Sequence, residues 1–231
     1  MIDKIIGSVT AAVADIHDGA TVMIGGFGTA GMPAELIEAL IDQRARDLTI
    51  VNNNAGNGET GVAALLKARR VRKIICSFPR QVDSYVFDAL YRAGEIELEL
   101  VPQGNLAERI RAAGAGIGAF FTPTAYGTLL AARKETREIG GRNYVLEYPI
   151  HADFALIKAD RGDRWGNLVY RKTARNFGPI MATAAKCAIA QVSEIVPLGA
   201  LDPEVIVTPG IFVRRVVEVR AAPVARQEAR A

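Results

Sequence analysis

Gly25, Gly26, Gly28 and Gly31 crowd around Phe27 in the segment 18–33. Glycines let backbone approach a ligand closely. They also leave amide protons unshielded, next to the positive potential of a helix N-terminus. Such a loop suits an anion or a developing oxyanion, although a plain tight turn would use the same residues. Gly26, Gly28 and Gly31 also fit the G-x-G-x-x-G spacing of dinucleotide loops. That chemistry asks for an acidic residue about 20 positions on, to hold a ribose. Here the corresponding strand ends in Asn52, Asn53 and Asn54. Asparagine amides donate hydrogen bonds without charge and hold a carbonyl or an oxyanion; they also turn chains. A third group is Pro102-Gln103-Gly104-Asn105. Asn105, with Glu108 three residues later, reads as a helix cap and capping box. Gln103 is not needed for capping, which makes it the better site candidate.

These groups are useful only if the fold brings them to one edge. Apolar periodicity predicts a helix from Ile5 to Ile16, then strands at 21–24, 48–51, 71–76, 98–101 and 119–122. Between them lie helices starting at Pro33 and near 62–67, 83–93 and 105–113. Repeated strand–helix units imply an α/β fold: an open, mostly parallel sheet with helices on both faces. Ligands in such sheets bind beyond the C-terminal ends of the strands. The glycine loop, the asparagine run and Gln103 each follow a strand end. After about Gly140 the pattern turns β-rich, with strands near 144–148, 154–158, 168–171, 187–192 and 213–219 and one helix near 179–186. The expected organisation is a single domain over 1–220 and a frayed tail over 221–231.

Composition narrows the chemistry. A net charge of +3 is too weak and dispersed for a nucleic-acid footprint, yet it tolerates anionic small molecules. His17 and His151 are the only histidines, so no metal site is expected. Cys76 and Cys187 lie far apart and read as buried free thiols. Residues 112–132 carry no charge, but Gly114, Gly116, Gly118, Pro123 and Gly127 spoil any membrane helix. That stretch is read as buried strand and loop. Asp3 and Lys4 interrupt the N-terminus, so no secretory leader is expected and the location is read as cytoplasmic.

In order, these segments resemble the 3-oxoacid (family I) CoA-transferases. The resemblance is carried by Asp18-Gly19, Gly25-Gly26-Phe27 and Gly31-Met32-Pro33, then by Asn53-Asn54-Ala55-Gly56. It continues through Pro102-Gln103-Gly104, Leu106-Ala107-Glu108-Arg109, Phe121-Thr122-Pro123-Thr124 and Ala174-Arg175-Asn176-Phe177, to about Val219. Cys76-Ser77-Phe78-Pro79-Arg80-Gln81 and residues 162–168 are most similar to the A (alpha) subunits that act on 3-oxoadipate. The resemblance implies a CoA-transferase-like fold and transfer of CoA from succinyl-CoA to a 3-oxoacid. The acceptor it implies is 3-oxoadipate, with acetoacetate or a short fatty acid as alternatives. It implies no cofactor, because the CoA thioester is itself a substrate.

In that family a glutamate carboxylate is the nucleophile. It belongs to a Ser-Glu-Asn-Gly segment of the B half, which this chain lacks. Glu59, between Gly58 and Thr60, is read as loop structure. The resemblance therefore implies no nucleophile here and a partner B subunit, in a heterodimer or an α2β2 assembly. It places Gly25, Gly26, Phe27 and Gly28 facing the reacting carbonyl, and Asn53, Asn54 and Gln103 lining the pocket. Arg80, after the third strand, is expected to meet the second carboxylate of 3-oxoadipate, because burying that charge calls for a cation. Arg171, Lys172 and Arg175 are read as CoA-phosphate contacts, partner contacts or a solvated face. Three rivals remain: a nucleotide-dependent reductase, a non-catalytic scaffold subunit with a decayed pocket, and a sugar-phosphate isomerase or deaminase. A reductase would act alone, and an isomerase would need a carboxylate–histidine pair.

Overall fold

Side chains alternate across a strand, and the central strands use both faces. In β1 (Thr21–Ile24), Val22 and Ile24 pack into one apolar cluster and Met23 into another. The first cluster collects α1 (Val9–Val13), α2 (Ala34–Gln43), α3 (Val62–Lys67) and α4 (Tyr85–Arg92) on one side of the sheet. The second holds α5 (Gln103–Gly114) and α6 (Gly178–Ala184) on the other side. Leu40 and Met181 are fully buried on opposite faces. Burying one such side chain contributes about 1.5–3 kcal/mol. The computed structural model describes residues 1–220; the tail expected at 221–231 lies outside the described residues.

The remaining strands are β2 (Leu48–Val51), β3 (Val71–Cys76), β4 (Glu97–Leu100), β5 (Phe120–Thr122), β6 (Thr136–Ile139), β7 (Arg142–Glu147), β8 (Ala152–Gly162), β9 (Leu168–Val169), β10 (Ala185–Ile195) and β11 (Val213–Glu218). The main sheet runs β11-β10-β8-β1-β2-β3-β4, all parallel, with β9 antiparallel to β8. From β1 the chain steps outward through β2, β3 and β4. It then returns to the other flank of β1 and steps outward again through β8, β10 and β11. The direction of travel reverses between β1 and β8, and a crevice opens at such a switch point. Ile24 pairs with Leu156, so β8 runs on past the end of β1, from Ile157 to Gly162. No helix among the described residues is long and apolar enough to cross a membrane.

Three expectations need correction. The opening helix covers only Val9–Val13, capped by the Ser8 hydroxyl. The residues before it pair with the β11 edge instead: Ile6 N donates to Val216 O (2.8 Å) and Val216 N to Lys4 O (2.8 Å). An open strand edge has unmet donors and acceptors, and here they outweigh local helix periodicity. Asn105 is not a cap, because α5 starts at Gln103 behind Pro102. Asn105 is buried in the first turn and donates to Glu147 (3.0 Å), while Glu108 pairs with Arg111. Residues 112–132 are not a buried run. They form the end of α5, the short β5 and a largely exposed turn, with Leu129 94% exposed. β5 pairs with β7, and β7 with β6, in a separate antiparallel sheet. β6 was not legible, since all four of its residues are exposed and no apolar alternation marks them. The β-rich half, in keeping with the expected mostly parallel sheet, supplies β8, β10 and β11 to the sheet that begins at β1.

Candidate active site

The strand ends deliver a cluster of carboxamides. After β2 the chain bends through Asn52, Asn53 and Asn54, all buried. Asn52 Nδ2 donates to Ile24 O (2.7 Å), tying this loop to the end of β1. Its Oδ1 accepts from Asn54 N (2.9 Å), and Asn54 Oδ1 accepts from Gly56 N (2.8 Å). These are Asx turns, so part of the run serves chain reversal. Asn53 is different. Its Oδ1 accepts from Ser77 Oγ after β3 (2.8 Å) and from Gln103 Nε2 at the start of α5 (2.8 Å). Three strand ends thus meet on one amide oxygen. Two donations to Oδ1 fix the carboxamide and turn Nδ2 the other way. Asn54 Nδ2 is buried with no partner among the described residues. A buried donor left unpaired costs about 1–3 kcal/mol.

The glycine loop is a tight hairpin between β1 and α2. Phe27 N donates to Ala30 O (3.0 Å) and Ala30 N to Phe27 O (3.2 Å). Gly26 sits at φ +123° and Gly31 at φ +75°. A Cβ on Gly31 would lie 2.1 Å from Ala174 O, so only glycine lets the loop lie against that segment. The expectation that this loop leaves its amides unshielded is corrected for its first half. Gly25 N donates to Leu156 O, Gly26 N to Asn176 Oδ1, and Phe27 N within the hairpin. Among the described residues, the Gly28, Thr29 and Gly31 amides of this loop have no acceptor. The hairpin also separates β1 from α2, which weakens the dinucleotide reading, where the glycine turn feeds straight into the helix. The Phe27 ring is 52% exposed and stands between two adjoining hollows. One, of about 490 Å³, is lined by Phe27, Arg175 and Asn176. The other, of about 340 Å³, is lined by Phe27, Gln103 and Asn176.

Asn53 and Gln103 are therefore joined directly, Asn54 adjoins them, and Phe27 shares a hollow with Gln103. Arg80 is not drawn to this place. It is exposed, its Nε donates to Asp88 (2.6 Å), and its guanidinium lies over the Tyr91 ring. Glu59 is exposed too and accepts from Lys67 (2.6 Å); that bond holds its carboxyl below the usual range. Neither cysteine is activated. Burial pushes the Cys76 thiol up to about 12 and raises Cys187 as well. Sequence reasoning gave no role to Ser77 or Asn176. Ser77 was hidden inside a strand-end motif. Asn176 lies about 150 residues from the loop it touches, so local spacing carries no signal of the contact.

The family model described as Coenzyme A transferase matches residues 6–219. The chain is 73% identical over 222 residues to the A subunit of the 3-oxoadipate CoA-transferase of Pseudomonas putida, covering 96% of each chain. It is 68% identical over 223 residues to the protein of the same description from Acinetobacter baylyi, covering 96% of this chain and 98% of that one. Among solved structures, an acyl-CoA transferase from Escherichia coli O157:H7 superposes with a TM-score of 0.85 at 23% identity. That match covers 94% of this chain and 47% of the other, so this chain spans about half of that longer chain, and the likeness speaks for the fold alone.

Proposed function

Because this chain belongs to the coenzyme A transferase family, we propose that it works as the A component of a two-subunit 3-oxoacid CoA-transferase, moving CoA from succinyl-CoA to 3-oxoadipate together with a B partner. The observation that carries this reading is a mismatch. The C-terminal ends of β2, β3 and β4 gather uncharged donors, yet they hold no activated nucleophile among the described residues. Donors of this kind serve acyl transfer, in which a carbonyl oxygen gains negative charge in each tetrahedral intermediate. The nucleophile then comes from the partner.

The reaction follows as covalent catalysis by a carboxylate. A glutamate carboxylate of the B partner attacks the thioester carbonyl of succinyl-CoA. The tetrahedral centre collapses, CoA thiolate leaves, and a succinyl-glutamyl anhydride remains. The thiolate attacks the glutamyl carbonyl, giving a glutamyl-CoA thioester and free succinate. The 3-oxoadipate carboxylate then attacks that thioester, and the same two steps run in reverse. The role assigned to Asn53, Asn54 and Gln103 is to donate to the oxyanions, and the role assigned to Phe27 and Gly28 is to shape the hollow beside them. One such donor is worth roughly 10²–10³-fold in rate.

The test is a transferase assay with succinyl-CoA and 3-oxoadipate, on this chain alone and mixed with its B partner. Transfer is expected only in the mixture. Turnover by this chain alone would place the nucleophile here and sink the two-subunit reading. A kcat/KM higher for acetoacetate than for 3-oxoadipate would overturn the assigned acceptor.

A further inference from the structure

Asn176 follows the short 3-10 turn Lys172–Arg175 and leads into α6. Its carboxamide makes four hydrogen bonds. Oδ1 accepts from Gly26 N (3.1 Å) and Phe177 N (2.7 Å). Nδ2 donates to Ala30 O (2.9 Å) and Thr173 O (3.0 Å). Gly26 and Ala30 are the two feet of the glycine hairpin. One side chain therefore grips both feet, and two further bonds to its own segment hold that side chain still. The close approach of Gly31 to Ala174 O brings the backbones near enough for this grip.

We propose that Asn176 is a positioning residue for acyl transfer, fixing the glycine hairpin and its Phe27 ring in the hollow that Phe27 shares with Gln103. This rests on the transferase reading above. The grip needs a donor and an acceptor on one planar group, and asparagine supplies both at this length. Alanine removes all four bonds. Aspartate keeps the shape and the two accepted bonds, but sets a carboxylate oxygen against Ala30 O and Thr173 O.

The experiment compares wild type, Asn176→Ala and Asn176→Asp, each assembled with the B partner. It measures kcat and KM for succinyl-CoA, melting temperature, and hydrogen exchange over residues 25–31. Misplacing a reacting partner by about 1 Å costs on the order of 10²-fold. The expected result is a kcat lower by about 10²-fold in both variants, with KM within about 3-fold. Exchange should rise at Gly26 in Asn176→Ala, which loses the accepted bond, while β1 stays protected, and assembly should be retained in both variants. A kcat within about 3-fold of wild type in either folded variant would overturn the proposal. So would a loss that tracks falling melting temperature in Asn176→Ala while Asn176→Asp keeps full turnover. If the wild-type pair shows no transfer but Gly26 exchange still rises in Asn176→Ala, the grip stands and the transferase reading fails.

Discussion

Two polar clusters share helix α5 and differ in kind: one centres on buried Asn53 and reaches exposed Gln103, the other centres on buried Glu147. At the first residue of α5, Gln103 joins Asn53 and Ser77 in a cluster without charge. Farther along, Asn105 and Arg109 meet Glu147, which is 2% exposed and also takes Lys134 (2.6 Å). Arg109 reaches Glu99 (2.9 Å) and donates to Tyr148 O (2.7 Å), so the second cluster ties β4, α5, β7 and the turn before β6 together. A hollow of about 420 Å³ sits on this charged network, and Gln103 and Phe27 line no part of it. In the charged cluster every strong group is answered by another, as burying an ion requires. The uncharged cluster ends with donors to spare. A site that must stabilise a charge appearing during reaction wants spare donors that do not titrate; a joint between layers wants none.

Breaking the charged joint should produce the largest effect. Glu147→Ala leaves Lys134, Arg109 and Asn105 facing a hole, and removing one partner of a buried pair costs about 3–5 kcal/mol. The denaturant midpoint should fall with an unchanged slope, while kcat of the assembled, folded enzyme stays within about 3-fold. A loss of unfolding free energy below about 1 kcal/mol would mean the network is ornamental. The opposite signature is expected at the other end of α5. Gln103→Ala should lower kcat by about 10²-fold, with a stability change near 1 kcal/mol from one lost neutral hydrogen bond. Equal damage to kcat from both variants would erase the distinction between the clusters.

The contrast also sets what the sequence could reveal. Gln103 and the asparagine run stood out because amides directly after strands are conspicuous, and parallel strands bring their ends to one edge. The core strands were legible because β1 and β2 are short, mainly apolar runs with clear limits, and β3 ends in Ile74-Ile75-Cys76. The charged joint was invisible: Glu147, Arg109 and Lys134 look like ordinary surface residues until β7 folds back over α5. Arg80 misled for the same reason, since a cation after a strand says nothing about an aspartate one helical turn or two away. Long-range polar contacts leave no local periodicity, and Asn176 gripping Gly26 is the clearest case.

Acid should sharpen the comparison further. Burial pushes the Glu99 carboxyl up, but its bonds to Lys73 and Arg109 outweigh that and hold it below its ordinary value of 4.5. A depressed carboxylate stabilises the fold fully above 4.5, and that contribution is lost as pH falls through the folded value. Glu99→Gln should therefore lower the melting temperature at pH 7 and flatten the decline below about 4.5. Asn53, Asn54 and Gln103 do not titrate, so substituting Gln103 should shift the height of the kcat profile and leave its inflections in place. An acid limb identical in Glu99→Gln and wild type would remove Glu99 from the account.

Arg80 should give the smallest effect, and its smallness is informative. A residue reading the second carboxylate of 3-oxoadipate would have to give up water and reach the carboxamide cluster. Instead Arg80 is exposed, engaged by Asp88 and laid over Tyr91. An exposed ion pair contributes about 0–1 kcal/mol. Arg80→Ala is therefore expected to change kcat/KM by less than about 3-fold for 3-oxoadipate and for acetoacetate alike. Arg175 lines the hollow beside Phe27, among residues that frame the reaction loop. If discrimination between the two acceptors depends on a cation of this chain, Arg175→Ala should weaken 3-oxoadipate selectively. A selective loss in Arg80→Ala, with acetoacetate untouched, would instead show that the β3 end closes over the substrate in the assembled enzyme.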